Sequence, residues 1–153
     1  MGLAYEVGAG LDGLGQLRAL MSSGKRPAIS ETLDFQLVEV ENGMAVFAGV
    51  PGEHAYNPIG AIHGGYAATL LDSACGCAVH SKLSATQGYT TLELKVSYHK
   101  AMTRDTGLVR AVGTVITIGR RVAFSEATLT DAAGRVYATA TSTLLVFERE
   151  VSQ

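Results

Sequence analysis

The sequence has few of the features that mark proteins that bind nucleic acids or associate with membranes. Its 153 residues carry 12 basic and 14 acidic side chains, for a net charge of −2, and the basic residues are scattered along the chain. Without a basic patch, binding to nucleic acid or to an anionic membrane surface is not expected. No stretch of about twenty residues is apolar throughout, so no membrane span is expected either.

Cysteines and targeting segments are also scarce. The only cysteines, Cys75 and Cys77, are two residues apart, so on a helix they point in different directions and form no disulfide framework. We interpret them as small core residues in a reducing compartment. The first ten residues, MGLAYEVGAG, lack a basic segment followed by an apolar one, and Glu6 argues against N-myristoylation. We therefore expect a soluble cytoplasmic protein.

Motifs of several enzyme classes are missing as well. The sequence contains no G-x-S-x-G elbow, no P-loop and no dinucleotide-binding fingerprint, which argues against serine-hydrolase and nucleotide chemistry. His54, His80 and His99 have no metal-ligand spacing with one another or with the cysteines. We therefore expect neither a bound metal nor a cofactor.

The length of the chain suits one domain with its own hydrophobic core. Leucines at positions 11, 14, 17 and 20 predict a short accessory helix within residues 11–25, although two glycines weaken the pattern. We divide the chain into an N-terminal accessory helix and lead-in at 1–27, a main domain at 28–148 and a C-terminal tail at 149–153.

The main domain reads as strands on either side of one long helix. Alternation in TLDFQLVEVENGMAVFAGV predicts two strands joined at Asn42-Gly43, since both residues tolerate positive φ. The stretch from Gly64 to about Leu83 favours a helix because it is rich in alanine and leucine. Four segments rich in Thr, Val, Tyr and Leu then predict four consecutive antiparallel strands. The expected class is α+β, a single sheet folded around one apolar helix.

One acidic residue interrupts that helix. Asp72 is the only side chain from Gly64 to Val79 that carries a charge at neutral pH. An ionised carboxylate in a dry core costs several kcal/mol unless it is paired or hydrogen-bonded. Asp72 therefore either reaches a buried structural partner or has a functional role.

The helix begins with a second unusual feature, His63-Gly64-Gly65. The first backbone N–H groups of a helix lack intrahelical partners, and the macrodipole there is positive, so an oxyanion is favoured. Glycine lets a ligand approach these amides closely. The alternative is that the two glycines merely turn the chain into the helix.

Asn57, His63-Gly64-Gly65 and Asp72, within NPIGAIHGGYAATLLDSA, together resemble the signature of hotdog-fold acyl-CoA thioesterases. The similarity is to the PaaI-like type of phenylacetic acid degradation and to the 4-hydroxybenzoyl-CoA thioesterases. It covers about residues 28–148, and the order of predicted elements agrees with it. The resemblance implies a hotdog fold, in which an antiparallel sheet wraps around one long central helix.

The resemblance also implies catalytic roles for the motif residues. The amide of Gly64 would donate a hydrogen bond to the thioester oxygen, and Asp72 would act as general base or nucleophile. Asn57 and His63 would help to position the thioester or a water molecule.

Further residues are implied by their places beside that motif. A Ser or Thr on the strand after the helix often assists in the family; Thr91 fits by register, with Thr90 as a close rival. Arg120 and Arg121 lie where family members often hold coenzyme A phosphates, and Arg135 in the next turn would add to that patch. A solvated basic turn is the alternative.

The spacing of Gly64 and Asp72 predicts an assembly. Eight residues correspond to about 12 Å along a helix, so one carbonyl cannot lie within about 3 Å of both groups. Two helices packed antiparallel about a twofold axis would bring the start of one beside the middle of the other. We expect a homodimer with shared sites, and the resemblance adds a homotetramer made of two dimers.

The activity that the resemblance implies is that of an acyl-CoA thioesterase, which uses water to release a free acid and coenzyme A. Aryl, short-chain and medium-chain acyl groups all remain open. The alternatives are an acyl-thioester hydratase or dehydratase, and a non-catalytic acyl-CoA-binding or regulatory module on the same fold.

Overall fold

A computed structural model describes residues 2–150 of the protein. Met1 of the predicted lead-in and residues 151–153 of the predicted tail lie outside the described residues. The elements follow in the order α1 (Leu3–Val7), α2 (Gly13–Ser23), α3 (Ala28–Leu33), β1 (Phe35–Glu41), β2 (Met44–Gly49), a single 3-10 turn (Glu53–Ala55), α4 (Gly64–His80), β3 (Gln87–Tyr98), β4 (Val109–Ile118), β5 (Val122–Asp131) and β6 (Val136–Glu148). None of the helices within 2–150 has the length and apolarity needed to cross a membrane.

All six strands form one antiparallel sheet in the order β1-β2-β4-β5-β6-β3, and α4 packs across its inner face. This arrangement confirms the predicted α+β class and the hotdog fold. The four later strands are not simply neighbours in chain order, however. The chain from 99 to 108 passes the start of α4, where Met102 accepts a hydrogen bond from the amide of Ile62. Strand β3 therefore lies at the far edge and pairs with β6 alone among the described strands.

The predicted hairpin is confirmed, with a two-residue turn at Asn42-Gly43 between β1 and β2. Only Gly43 adopts positive φ, at 83°. The turn is fixed to the end of α4, because Lys82 Nζ donates to Asn42 Oδ1 at 2.8 Å and the Gly43 amide donates to Ser81 Oγ at 2.7 Å. These contacts hold the hairpin turn against the C-terminal end of α4.

Helix α4 lies close to the sheet because small residues meet on both sides. The helix ends at His80, somewhat before the predicted Leu83. Ala74 is fully buried, and a Cβ added to Gly113 of β4 would overlap its carbonyl oxygen. The close approach thus depends on a strand glycine as well as on the alanines of the helix.

One face of α4 is not covered by the sheet. Gly65, Ala68, Thr69, Asp72 and Ser73 are half-buried, while the residues between them are buried. Their spacing of three and four residues places them on one side of the helix. The other faces of α4 are buried, as expected for an apolar helix enclosed by a sheet, and this face is the exception.

The accessory helix packs against the main domain. It spans Gly13–Ser23 and begins with Asp12, whose side chain accepts a hydrogen bond from the Gly15 amide at 2.9 Å. A Cβ at Gly13 would overlap the carbonyl oxygen of His80, so α2 contacts the end of α4 directly. The glycines that weaken the helical pattern therefore serve the cap and the packing contact.

Candidate active site

Asp72 lies on the face of α4 that the sheet leaves uncovered. Its Oδ1 accepts a hydrogen bond from Thr91 Oγ1 at 2.9 Å. None of the ion pairs formed by residues 2–150 involves Asp72. The carboxylate is therefore held by one hydroxyl and retains capacity to accept further hydrogen bonds.

The register of β3 distinguishes Thr91 from Thr90. Thr91 lies opposite Leu144, a fully buried residue of β6, whereas Thr90 lies opposite Leu145. Since successive side chains of a strand point to opposite faces, Thr91 points inward to Asp72 and Thr90 is exposed.

The start of α4 leaves one amide free. His63 is the N-cap residue, and its Nδ1 accepts a hydrogen bond from the Gly65 amide at 2.7 Å. The Gly64 amide has no acceptor among residues 2–150, while its carbonyl accepts a hydrogen bond from the Tyr98 hydroxyl at 2.7 Å. Gly64 N–H is thus available to an external acceptor at the positive end of the helix dipole.

Asn57 shapes the loop that leads into α4. Its Oδ1 accepts hydrogen bonds from the amides of Ile59 and Ala61 at 3.0 and 3.1 Å. Asn57 and His63 both line the cleft in front of Gly64. In the free chain, Asn57 therefore stabilises the loop before α4, and His63 caps the start of that helix.

Gly64 and Asp72 lie in different clefts of the same chain. Gly64 lines a cleft of about 520 Å³ together with Tyr98 and Lys100. Asp72 and Thr91 line a second cleft of about 550 Å³, and the two clefts have no lining residue in common. A single chain does not bring these two groups together.

The three arginines do not form one patch within a chain. Arg120 and Arg121 are exposed in the turn between β4 and β5. Arg135 lies in the turn after β5, where its Nε pairs with Asp131 Oδ2 at 2.7 Å. Within one chain the ten-residue strand β5 separates the two turns, and the expectation that Arg135 adds to a coenzyme A site remains a prediction.

Several residues of these clefts were missed by sequence reasoning. Tyr98 and Lys100 lie in the Gly64 cleft only because β3 returns past the start of α4. Cys75 is buried in the core as expected, but Cys77 lines the Asp72 cleft. Burial raises the pKa of the Cys77 thiol to about 12, so this cysteine remains a neutral thiol near pH 7. Helical position alone did not distinguish the two cysteines.

His80 is the other residue whose setting the sequence did not reveal. Gln16 Nε2 donates to the carbonyl of Leu11 at 2.8 Å, and Gln16 Oε1 lies 2.7 Å from His80 Nε2. This network places the imidazole proton on Nε2. The His80 ring also stacks on Tyr5 with centroids 5.6 Å apart. Burial, with a smaller contribution from the Arg149 charge, lowers the pKa of His80 to about 4.

The family assignment comes from comparison with known proteins. The sequence model of the thioesterase superfamily matches residues 59–138, just over half of the chain. This part includes α4, the helix that contributes residues to both clefts. The chain belongs to the thioesterase superfamily. This membership makes it a thioester hydrolase, in agreement with the sequence-based expectation.

Individual proteins are also similar to this thioesterase in sequence or in structure. It is 27% identical over 103 residues to a 1,4-dihydroxy-2-naphthoyl-CoA hydrolase of Listeria monocytogenes, covering 67% of this chain and 82% of that protein. A thioesterase family protein of Silicibacter pomeroyi is 25% identical, with a TM-score of 0.78 over 88% of this chain and 98% of the other. The E. coli PaaI protein from the phenylacetic acid degradation operon has the same fold at 14% identity, with a TM-score of 0.77 over 99% of this chain and 100% of the other.

Proposed function

We propose that this thioesterase hydrolyses acyl-CoA thioesters with an aryl or a short- to medium-chain acyl group, releasing the free acid and coenzyme A. The observation that carries the proposal is Asp72, a carboxylate on the uncovered face of α4 that accepts a hydrogen bond from Thr91 and forms no ion pair within residues 2–150. An acid with a purely structural role would be expected to have most of its acceptor positions satisfied within its own chain, whereas Thr91 uses only one of those of Asp72. The Listeria relative, whose name describes an aryl-CoA hydrolase, supports the substrate class.

In the proposed mechanism, the thioester carbonyl oxygen accepts a hydrogen bond from the free Gly64 amide. Asp72 then either deprotonates a water molecule that attacks the carbonyl carbon, or attacks that carbon itself, and water completes the reaction. The C–S bond breaks, and the leaving sulfur of coenzyme A takes up the proton. Thr91 positions the carboxylate, and the helix dipole at Gly64 stabilises the negative charge that develops on the carbonyl oxygen.

The proposed site is assembled from two subunits. Strand β3 has one edge that pairs with no other described strand, and a second β3 can extend the sheet there by antiparallel pairing. The uncovered face of α4 carries Gly65, Ala68 and Ser73, whose small side chains let a second helix approach closely. Antiparallel packing of two α4 helices places Gly64 of one subunit beside Asp72 of the other. A homotetramer of two such dimers rests on the family resemblance.

Two further parts of the proposal concern the location and the metabolic role of the enzyme. We place the enzyme in the cytoplasm because its free cysteines, Cys75 and Cys77, suit a reducing compartment. A PaaI-like role in phenylacetic acid degradation rests on the resemblance in the motif around Asp72.

The variant Asp72→Asn tests the catalytic assignment. We expect kcat for acyl-CoA hydrolysis to fall by about 10²–10⁴, the usual contribution of a general base, with folding and oligomeric state preserved. Asp105→Asn, at an exposed loop residue, is the matched control and should keep wild-type turnover. Near-normal turnover of Asp72→Asn would leave Asp72 a structural residue. Wild-type protein that binds acyl-CoA without hydrolysing it would favour the binding-module alternative.

The shared site is tested with variants of Gly64. Gly64→Pro removes the N–H at the first helical position, where proline is tolerated, and Gly64→Ala adds a similar Cβ beside Tyr98 but keeps the N–H. We expect Gly64→Pro to have a kcat about 10²–10³ lower than that of Gly64→Ala, since one oxyanion donor is lost.

Mixing the two inactive variants gives a sharper result. In a heterodimer of Asp72→Asn and Gly64→Pro subunits, one site carries both defects and the other carries neither. Random exchange of subunits should therefore restore about a quarter of wild-type activity in a twofold dimer. No recovery after verified exchange, or a fully active monomer in light scattering, would contradict the shared site.

A further inference from the structure

The first turn of α4 begins with two residues that favour a helix only weakly. Gly64 and Gly65 open the helix, and glycine loses more conformational freedom on folding than any other residue. An oxyanion donor such as the Gly64 amide is most effective when its direction is fixed before the reaction, because no reorganisation is then needed as charge develops. Contacts that hold this turn in place therefore bear on the proposed chemistry.

Two side chains hold the turn from different directions. His63 Nδ1 accepts a hydrogen bond from the Gly65 amide at 2.7 Å, a contact within the helix start itself. Tyr98 of β3 donates its hydroxyl to the Gly64 carbonyl at 2.7 Å. The end of the Tyr98 ring also lies against Gly64, since a Cβ added there would be 3.0 Å from the ring carbon Cζ. The two contacts of Tyr98 restrain Gly64 and leave its N–H available to a ligand.

The Tyr98 side chain projects from a strand end that is itself fixed. Tyr98 pairs with Ala138 of β6. The next two amides, those of His99 and Lys100, both donate to the carbonyl of Tyr137, at 2.9 and 3.2 Å. The sheet therefore sets the position of the hydroxyl independently of the helix that receives it. Support from a rigid neighbouring element is what keeps a reactive group in a productive geometry.

Strand β3 also holds the acid of the same chain. Thr91 of β3 donates its hydroxyl to Asp72 Oδ1 at 2.9 Å. One strand therefore contacts both proposed catalytic groups of a chain, the carboxylate through Thr91 and the oxyanion donor through Tyr98. In the proposed dimer these two groups belong to different sites, so each β3 supports both sites.

We propose that Tyr98 is a positioning residue, whose hydroxyl fixes the first turn of α4 so that the Gly64 amide points toward the thioester oxygen. This inference rests on the proposed acyl-CoA hydrolysis and adds a residue that acts through the oxyanion donor. Tyr98 lines the same cleft as Gly64, but in this role its hydroxyl contacts the protein backbone and not the reacting atoms.

The first test is kinetic and uses Tyr98→Phe, which keeps the ring and removes the hydroxyl. The substrate is the best of acetyl-, butyryl-, hexanoyl- and benzoyl-CoA. We expect kcat to fall about 2–10-fold, the usual net effect of one neutral hydrogen bond, which is less than the loss expected for Gly64→Pro. KM should change little, since the lost contact favours the transition state and not substrate binding.

The matched control is Tyr66→Phe, which makes the same chemical change two residues after Gly64 in the same helix. The Tyr66 hydroxyl is buried and has no hydrogen-bond partner among residues 2–150. This variant should therefore keep the kcat and KM of the wild type. Circular dichroism and light scattering check that both variants fold and assemble like the wild type.

The second test measures the order of the turn directly and needs no substrate. Backbone ¹⁵N relaxation of the wild type should give the Gly64 and Gly65 amides order parameters near those of rigid backbone, about 0.85. In Tyr98→Phe these two values should fall toward about 0.6, the range of flexible segments. In Tyr66→Phe they should stay at the wild-type level.

The outcomes separate this inference from the proposed function. A Tyr98→Phe variant that keeps wild-type kcat, or that only raises KM, would overturn the positioning role and leave acyl-CoA hydrolysis standing. A lower kcat with unchanged order at Gly64 would also overturn it, because the hydroxyl would then act on the substrate itself. Wild-type protein that hydrolyses none of the four acyl-CoA substrates would refute the proposed function and, with it, this role. A lower kcat together with lost order at Gly64 and Gly65, both absent from Tyr66→Phe, would establish the role.

Discussion

Acidification should destabilise this protein through His80. The imidazole is 5% exposed, and its pKa is lowered from 6.5 to about 4, by burial first and then by the Arg149 charge. Between these two values the unfolded chain binds a proton that the folded chain does not. Above about pH 6.5, His80 therefore causes no loss in the free energy of unfolding. As the pH falls from 6.5 toward 4, proton binding by the unfolded chain lowers that free energy.

The size of the effect follows from proton linkage. Each pH unit in this window removes about 1.4 kcal/mol from the free energy of unfolding, so His80 accounts for a loss of about 3 kcal/mol by pH 4. That loss is a large part of the stability of a typical domain. The affected residue also lies between three helices, since His80 joins α4 to α2 through Gln16 and to α1 through Tyr5.

The assay is urea unfolding of wild type and His80→Gln between pH 8 and pH 4 at one protein concentration, which keeps any contribution of the proposed assembly constant. The glutamine amide can still donate to Gln16 but does not titrate. We expect the stability of the wild type relative to the variant to fall by about 3 kcal/mol over this range. His54→Gln, at an exposed histidine, should follow the wild-type profile. Parallel profiles for wild type and His80→Gln would refute this explanation.

Two further predictions concern the basic turn and the contact between helix and sheet. Replacing Arg120 and Arg121 together by alanine should raise KM for acyl-CoA more than it lowers kcat, because phosphate contacts supply mainly uniform binding. Steady-state kinetics with a truncated thioester that lacks the nucleotide should show a smaller effect. An unchanged KM for acyl-CoA would make the turn a solvated loop. Gly113→Ala should destabilise the fold by about 1–3 kcal/mol, since its Cβ overlaps the carbonyl oxygen of Ala74. Gly119→Ala, where a Cβ meets its nearest atom at 3.4 Å, should unfold at nearly the wild-type urea concentration, and equal stability of the two variants would contradict the packing argument.

Much of the fold could be predicted from the sequence, because its signals are local. The apolar stretch after Gly64 predicted α4, and the residues around Asn42-Gly43 predicted the first hairpin. The distance between the helix start and Asp72 could also be predicted locally, since an acid two turns into a helix lies at a distance that the known rise per residue fixes. That spacing alone indicated that one chain would not bring Gly64 and Asp72 together, and the two separate clefts agree with this inference.

Only the tertiary structure decided which distant residues meet. Thr91 contacts Asp72 because β3 crosses to the edge of the sheet in one particular register, and a shift by one residue would have turned Thr90 inward instead. The position of Arg135 at the opposite end of β5 and the docking of Tyr5 on His80 depend in the same way on long-range pairing. Periodicity reports which side of an element is apolar, but the partner on that side is set by packing across the whole domain.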